Sequence, residues 1–136
     1  MVLTSQSPIR VRYAETDQMG IVYHSNYLIW FEVGRAELFR EVGLPYTLFE
    51  EQGLGLAVVE ASCRYRRPAL YDDDLIVVTK VEEFSSRKVT FTYQVLRDNT
   101  LLAEGKTVHV FINKEGKTSD ARNYPVWQDV LKILAK

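Results

Sequence analysis

Cysteine is nearly absent from this sequence of 136 residues, in which Cys63 stands alone. One cysteine excludes an intramolecular disulfide and provides no cysteine pair for a zinc site, so we interpret Cys63 as a small apolar strand residue. The charges also lack a dominant sign, because 17 lysines and arginines oppose 18 aspartates and glutamates and leave a net charge of −1. The chain has no overall positive field for nucleic acid, and we expect no nucleic-acid partner.

Long hydrophobic runs are missing as well. No stretch reaches the roughly 20 apolar residues that a membrane-spanning helix needs, and residues 1–10 lack the apolar centre of a signal peptide. We therefore expect a protein of the reducing cytoplasm that does not insert into membranes. A content of 46% apolar and 26% charged residues is typical of a globular protein, and the length predicts one domain over residues 1–136.

Two hydrophobic periods divide the chain. Residues 7–13 alternate as in a strand, whereas residues 26–42 repeat with the period of a helix that ends before Gly43 and Pro45. A short helical turn is predicted at 46–52. Beyond it, period-two patterns and turn residues predict four more strands at 56–65, 75–84, 87–96 and 101–112, and the chain closes with a predicted helix at 125–135. Short links favour antiparallel pairing, so this order predicts an α+β fold with one sheet curled around the long helix.

The long helix has three features that its neighbours must accommodate. Its first half is apolar nearly all round, which predicts burial on most sides. Gly34 predicts a close approach to another part of the backbone. Arg35 falls within the apolar face, so its guanidinium requires a hydrogen-bonding partner or a path to solvent.

Residues 13–27, which join the first strand to this helix, carry most of the residues suited to chemistry. They include a carboxylate (Asp17), a glycine (Gly20), a histidine (His24) and the helix start. A carboxylate can act as a base or a nucleophile, and a helix start presents backbone N–H groups that have no partner within the helix. This combination indicates a functional site.

The same segment resembles a known family. The motif is Tyr13-x-x-Thr16-Asp17-x-x-Gly20-Ile21-Val22-Tyr23-His24-x-Asn26-Tyr27, followed by a helix with Glu32 and Arg35 and, downstream, by Arg67-Pro68-Ala69 and Tyr71-Asp72-Asp73. It resembles the 4-hydroxybenzoyl-CoA thioesterase-like branch of the hotdog-fold acyl-CoA thioesterases. The resemblance implies a hotdog fold, in which an antiparallel sheet wraps a central helix, and a homodimer or homotetramer with active sites at the dimer interface. It also implies an acyl-CoA substrate, with acyl carrier protein as the alternative thiol carrier, and neither a metal nor an organic cofactor.

Three residues of the motif are candidates for catalysis. The resemblance makes Asp17 the nucleophile or general base, and the competing interpretation is an aspartate that only forms an Asx-turn. It makes the backbone N–H of His24 the oxyanion donor, while the imidazole either contacts substrate, orients Asp17 or merely packs. Tyr13 could donate a hydrogen bond to the site, but its strand pattern fits a core position equally well.

Five further residues are candidates for substrate binding. Tyr23 and Asn26 flank the helix start, where a structural role, such as capping by Asn26, is the alternative. Val59 is a candidate for the acyl pocket. Arg87 and Lys88 lie at a predicted turn and suit the phosphates of CoA, although an ordinary solvated surface would also contain such residues.

Two other interpretations remain open at this stage. Glu32 and Glu37 of the long helix are rival carboxylates, because another hotdog branch carries its catalytic carboxylate there; salt bridges are their competing role. The functional alternatives are a hydratase or dehydratase on the same fold and a protein that binds acyl-CoA without turnover. The identity of the acyl group does not follow from the residues.

Overall fold

Five strands form a single antiparallel sheet in the computed structural model, which describes residues 3–136. The strands, in chain order, are β1 (Thr4–Arg10), β2 (Gly55–Tyr65), β3 (Asp74–Phe84), β4 (Lys88–Arg97) and β5 (Thr100–Ile112). The helices are α1 (Asn26–Glu41), α2 (Tyr46–Glu51) and α3 (Val126–Leu134), and 3-10 turns span Tyr13–Glu15 and Ala121–Asn123. The order across the sheet is β1-β3-β4-β5-β2, which confirms the α+β class.

Helix α1 packs against one face of the sheet through two glycines. A Cβ atom on Gly34 would overlap the Thr79 side chain of β3, and one on Gly105 of β5 would overlap the ring of Phe31. Phe31 instead stacks on Tyr93, with ring centroids 4.2 Å apart. The predicted close approach at Gly34 is confirmed, and the missing side chains are what let the helix backbone approach the strands.

Arg35 reaches a polar network in the interior. Its Nη1 donates to the Tyr93 hydroxyl at 3.5 Å, and that hydroxyl lies 2.6 Å from Thr107 Oγ1. Nε2 of His109 lies 2.8 Å from the same Thr107 oxygen. Burial and the nearby Arg35 charge lower the pKa of His109 to about 4, so the imidazole is neutral near pH 7. His109 is therefore a packed core histidine.

The first strand differs from its prediction. It ends at Arg10 rather than at residue 13, because Arg12 donates its backbone N–H to the Glu15 carboxylate and residues 13–15 form a 3-10 turn. Tyr13 is consequently 75% exposed and contacts Tyr71 edge to face at 5.5 Å. The interpretation of Tyr13 as a core residue was wrong.

Strand β2 forms one edge of the sheet and leaves apolar side chains uncovered. Val58 and Val59 are about half exposed where the pairing with β5 bulges, and Ile29 and Val33 of α1 are also exposed. In the single chain, α1 is therefore not buried on most sides, contrary to prediction. An edge strand with an apolar surface is a ready template for another chain.

No helix within residues 3–136 combines the length and apolar character needed to cross a bilayer. The same residues contain no group of three or more His, Cys, Asp or Glu side chains arranged to hold a metal ion.

Candidate active site

The loop between the first 3-10 turn and α1 is a small closed hairpin. Thr16 and Val22 form an isolated β-bridge, and the Asp17 N–H donates to the Ile21 carbonyl at 2.8 Å. The Gly20 N–H returns to the Asp17 carbonyl at 3.0 Å, with Gly20 at φ +80°, a conformation that glycine adopts without strain. The hairpin therefore presents Asp17 at a defined position at its start.

The two carboxylate oxygens of Asp17 have different environments. Oδ1 accepts the backbone N–H of Met19 at 2.8 Å, which is an Asx-turn. Oδ2 has no hydrogen-bond donor among the residues that the structure describes. Turn formation and chemistry are thus compatible in this residue, because the turn uses only one of its oxygens.

The start of α1 offers a free backbone donor beside the loop. The N–H groups of Tyr23 and Asn26 are both bonded to backbone carbonyls, whereas that of His24 has no backbone acceptor in the described part of the chain. The carbonyl of His24 accepts the Tyr65 hydroxyl at 3.0 Å. Strand β2 therefore anchors the carbonyl of His24, while the N–H of the same residue stays available within the described chain.

Asp17 and His24 line the same cavity. It has a volume of about 340 Å³, and β2 and the segment after it supply Tyr65, Arg66, Arg67 and Pro68 to the other side. The His24 ring lies 4.5 Å from that of Tyr23 and 6.3 Å from that of Tyr65, measured between centroids. The structure thus brings together the two residues on which the sequence analysis depended most.

Tyr65 was not a candidate from the sequence. Burial, together with the nearby Cys63 thiol, raises the pKa of its phenol to about 12, so the hydroxyl stays protonated and donates to His24 at neutral pH. The one feature of the sequence that could have pointed to Tyr65 is its position at the end of β2, just before Arg66. Its location beside α1 follows from the fold alone.

Glu15 is a second residue that the sequence analysis missed. It is 4% exposed, and its carboxylate accepts the Arg12 backbone N–H and the Trp30 indole N–H, both at 2.8 Å. Burial alone would raise the pKa of Glu15, but the hydrogen bonds from Arg12 and Trp30 outweigh it and leave that pKa below its ordinary value. Glu15 is therefore an ionised, buried carboxylate at neutral pH.

Comparison with known proteins identifies the family. A family model described as the Thioesterase-like superfamily matches residues 11–134. The chain belongs to this superfamily. The match extends over nearly the whole chain and agrees with the family to which the loop motif pointed.

Three similar proteins define the branch more closely. A putative acyl-CoA thioesterase from Bacillus subtilis is 38% identical over 112 residues, 82% of this chain and 81% of the relative. The 4-hydroxybenzoyl-CoA thioesterase of a Pseudomonas species is 26% identical over 124 residues, 85% and 88% of the two chains. The crystal structure of a DHNA-CoA thioesterase from Staphylococcus aureus is 30% identical, with a TM-score of 0.89 over 97% of this chain and 91% of that one. These matches confirm the predicted hotdog fold and the 4-hydroxybenzoyl-CoA thioesterase-like resemblance.

The three other candidates near the loop of this thioesterase-family chain differ in their contacts. Asn26 donates its side-chain amide to the Glu15 carbonyl at 2.9 Å, so it ties the loop to the helix. Tyr23 is half exposed and packs on the His24 ring. Tyr13 does not line the cavity of Asp17, and a direct role for it remains a prediction without a contact to support it.

The basic pair Arg87 and Lys88 lies at the opposite end of the sheet. Lys88 pairs with Val110 of β5, which pairs with Ala57 of β2. Tyr65, beside the cavity, is eight residues further along β2 than Ala57, or about 26 Å at roughly 3.3 Å per strand residue. One chain of the thioesterase therefore does not bring Asp17 and Arg87 together.

A second arginine joins this distant basic site. Arg122 donates from Nη2 to Asp120 at 2.6 Å, and Arg87 Nη2 lies 3.6 Å from the same carboxylate. The hydrogen bonds from Arg122 keep the pKa of Asp120 below its ordinary value. Two guanidinium groups thus share one negative charge, which leaves the pair net positive. Arg122 was missed because 35 residues separate it from Arg87 in the sequence.

The rival carboxylates of α1 lie away from the cavity of Asp17. Glu37 forms an ion pair with Arg40, as the salt-bridge interpretation predicted. Glu32 lines a separate cavity of about 260 Å³ with Arg35 and Tyr46. Val59, the acyl-pocket candidate, lies on the exposed bulge of β2.

Proposed function

We propose that this protein is an acyl-CoA thioesterase that hydrolyses its substrate to CoA and a free carboxylic acid, in the cytoplasm. One observation carries the proposal: Asp17, whose Oδ2 accepts no hydrogen bond within residues 3–136, and His24, whose N–H donates none there, line a single cavity. Hydrolysis of a thioester needs a group that attacks or activates water and a donor for the developing oxyanion. The names of the relatives support the same reaction.

The His24 N–H is suited to the oxyanion because of its position. It lies just before the first turn of α1, where the positive end of the helix dipole adds to the hydrogen bond. The Tyr65 hydroxyl on the carbonyl of His24 restrains the rotation of the residue. A pre-oriented donor of this kind is worth about 3–4 kcal/mol of transition-state stabilisation in a well-studied case.

Two chemical routes use these groups. In the first, Asp17 takes a proton from water, the hydroxide attacks the carbonyl carbon, and the tetrahedral oxyanion accepts the His24 N–H. The C–S bond then breaks, and the CoA thiolate takes the proton from Asp17. In the second, Oδ2 of Asp17 attacks the carbonyl itself, the thiolate leaves, and water hydrolyses the resulting acyl–aspartyl anhydride.

The nucleotide end of CoA is assigned to a second copy of the chain. Arg87, Lys88 and Arg122 suit its phosphates, but they lie at the far end of the sheet from Asp17 of the same chain. The exposed edge of β2 can pair with β2 of a second copy around a two-fold axis. Antiparallel pairing would align the Tyr65 end of one strand with the Ala57 end of the other and bring the basic residues of the second copy to the first Asp17.

The first test is CoA release from a panel of acyl-CoAs by the wild type and by Asp17→Asn. We expect kcat to fall about 10²–10⁴-fold, because the amide neither takes a proton nor attacks a carbonyl. Asp98→Asn is the matched control, since Asp98 lies in the β4–β5 turn at φ +49°, which asparagine adopts readily. A protein-only blank is needed in a thiol assay because Cys63 is free.

Survival of turnover in Asp17→Asn would refute the assignment. Tight acyl-CoA binding without turnover by the wild type would instead favour the binding-protein alternative. Single-turnover hydrolysis in ¹⁸O-labelled water tests the anhydride route: label in Asp17 would establish an anhydride that water attacks at the aspartyl carbonyl, and absence of label would count against that route.

The second test is complementation between two inactive chains. One carries Asp17→Asn and the other Arg87→Gln with Arg122→Gln, and the heterodimer is isolated through two different tags. If each site combines Asp17 of one chain with the arginines of the other, one of the two sites in the heterodimer is intact, and about half of the wild-type kcat/KM returns. No recovery in a verified heterodimer, or a monomeric wild type, would refute the shared site.

A further inference from the structure

A buried carboxylate with no role in the chemistry lies two residues before Asp17. Glu15 is 4% exposed, although carboxylates are rarely buried unless paired. Its cationic partner is the largely solvent-exposed side chain of Arg12, whose Nη2 lies 3.5 Å from Oε2, and an ion pair to so exposed a cation contributes little stabilisation. Burial of this charge must therefore be compensated by hydrogen bonds.

The bonds that compensate it come from two directions. Oε1 accepts the backbone N–H of Arg12, which precedes the loop, and Oε2 accepts the indole N–H of Trp30, which lies in the second turn of α1. Each oxygen thus faces an N–H donor. An amide could satisfy only one of these donors, because its NH₂ group would face the other.

The main chain of Glu15 makes a second pair of connections. Its carbonyl accepts the Tyr23 N–H at 2.8 Å and the Asn26 side-chain amide at 2.9 Å. Asn26 and Trp30 are four residues apart and lie on one face of α1. Glu15 therefore connects three segments to one another: the chain before the loop, the chain after the loop, and the first two turns of α1.

These connections enclose both proposed reactive groups. Asp17 lies two residues after Glu15, and His24 follows Tyr23 directly. The loop between them is closed by the Thr16–Val22 bridge, and Glu15 is bonded at its base.

We propose that Glu15 is a positioning residue that sets the distance between Asp17 and the oxyanion donor by bonding Arg12 and Trp30 at once. The proposal rests on the proposed thioesterase function. A small displacement of a reacting group can cost about 100-fold in rate without weakening substrate binding. Glu15 acts through this geometry and does not contact substrate.

The test uses Glu15→Gln, with exposed Glu41→Gln as the matched control. We expect kcat to fall about 10–100-fold with KM within about threefold of wild type. The indole N–H proton resonance of Trp30, assigned with Trp30→Phe, should move upfield as its charged acceptor is lost. Activities are compared at a temperature where urea titration shows each variant to be fully folded.

A double-mutant cycle with Trp30→Phe tests the shared bond. Trp30→Phe removes the donor that would face the amide of Glu15→Gln, so the double variant should be no slower than Glu15→Gln alone. Unchanged kcat in folded Glu15→Gln, or multiplicative losses in the cycle, would overturn the proposal. If Asp17→Asn collapses turnover while Glu15→Gln does not, the thioesterase assignment stands and the positioning role fails; if Asp17→Asn keeps full turnover, the thioesterase assignment fails first.

Discussion

Glu15 and Asp17 lie two residues apart in the same loop, yet their carboxylates are bonded in opposite ways. Both oxygens of Glu15 accept N–H groups of the protein, and the side chain is buried. Asp17, which lines a cavity, uses one oxygen for a local turn and leaves the other without a donor among the described residues. A carboxylate whose acceptors are all occupied supports structure, whereas one with a free oxygen is available for chemistry.

A similar contrast separates the two ends of the sheet. The end with Asp17 carries a carboxylate and a free backbone donor, and the end with Arg87 carries a net positive arginine pair. Neither end has what a complete CoA ester requires. This difference supports the proposal that a single chain holds half of each site and that two halves meet at the exposed edge of β2.

The largest expected effect on stability is at the buried base of the loop. Glu15→Ala leaves the Trp30 indole and the Arg12 N–H without acceptors, and we expect a loss of about 2–4 kcal/mol in the free energy of unfolding. Urea titration monitored by circular dichroism measures it. Asp17→Ala, which removes one exposed turn bond, should stay within about 1 kcal/mol of wild type. Equal losses in the two variants would contradict the contrast between the residues.

A smaller effect is expected from acid. The pKa of Glu15 is lowered in the folded state, so its stabilising contribution is complete above the unfolded-state value of about 4.3 and is lost as the pH falls through the folded value. The difference in unfolding free energy between wild type and Glu15→Gln should therefore shrink as the pH is lowered from 6 toward 3. A difference that stays constant would show that folding leaves the pKa of Glu15 unchanged, and a difference that grows as the pH falls would show that folding raises it.

Much of the fold could be predicted because the strands alternate cleanly. The later strands begin and end within one residue of their predicted bounds, and Asp98 with Asn99 forms the predicted turn, both at positive φ. The predicted end of the first strand was wrong because the alternation of residues continues past Arg10. The chain turns there because the Arg12 N–H donates to the Glu15 carboxylate. A long-range contact to Trp30 keeps that carboxylate in place, and periodicity contains no such information.

Part of the candidate site could be predicted, since the motif contains Asp17 and the start of α1. Tyr65 and Arg122 could not be found, because Tyr65 is 41 residues from His24 and Arg122 is 35 residues from Arg87 along the chain. Glu15 lay within the motif, but a glutamate beside a turn is usually solvated. Its importance depends on burial, which the neighbouring residues do not reveal.

The family, the α+β class and the closeness of Asp17 to a helix start could be predicted from the residues alone, since these follow from local periods, turn residues and a motif of 15 positions. The fold was needed to show which carboxylate oxygen and which backbone N–H are unpaired within residues 3–136, and that the arginines lie far from Asp17 of the same chain. Hydrogen-bond saturation and burial depend on groups brought together from distant parts of the chain, and local sequence patterns do not encode those distances.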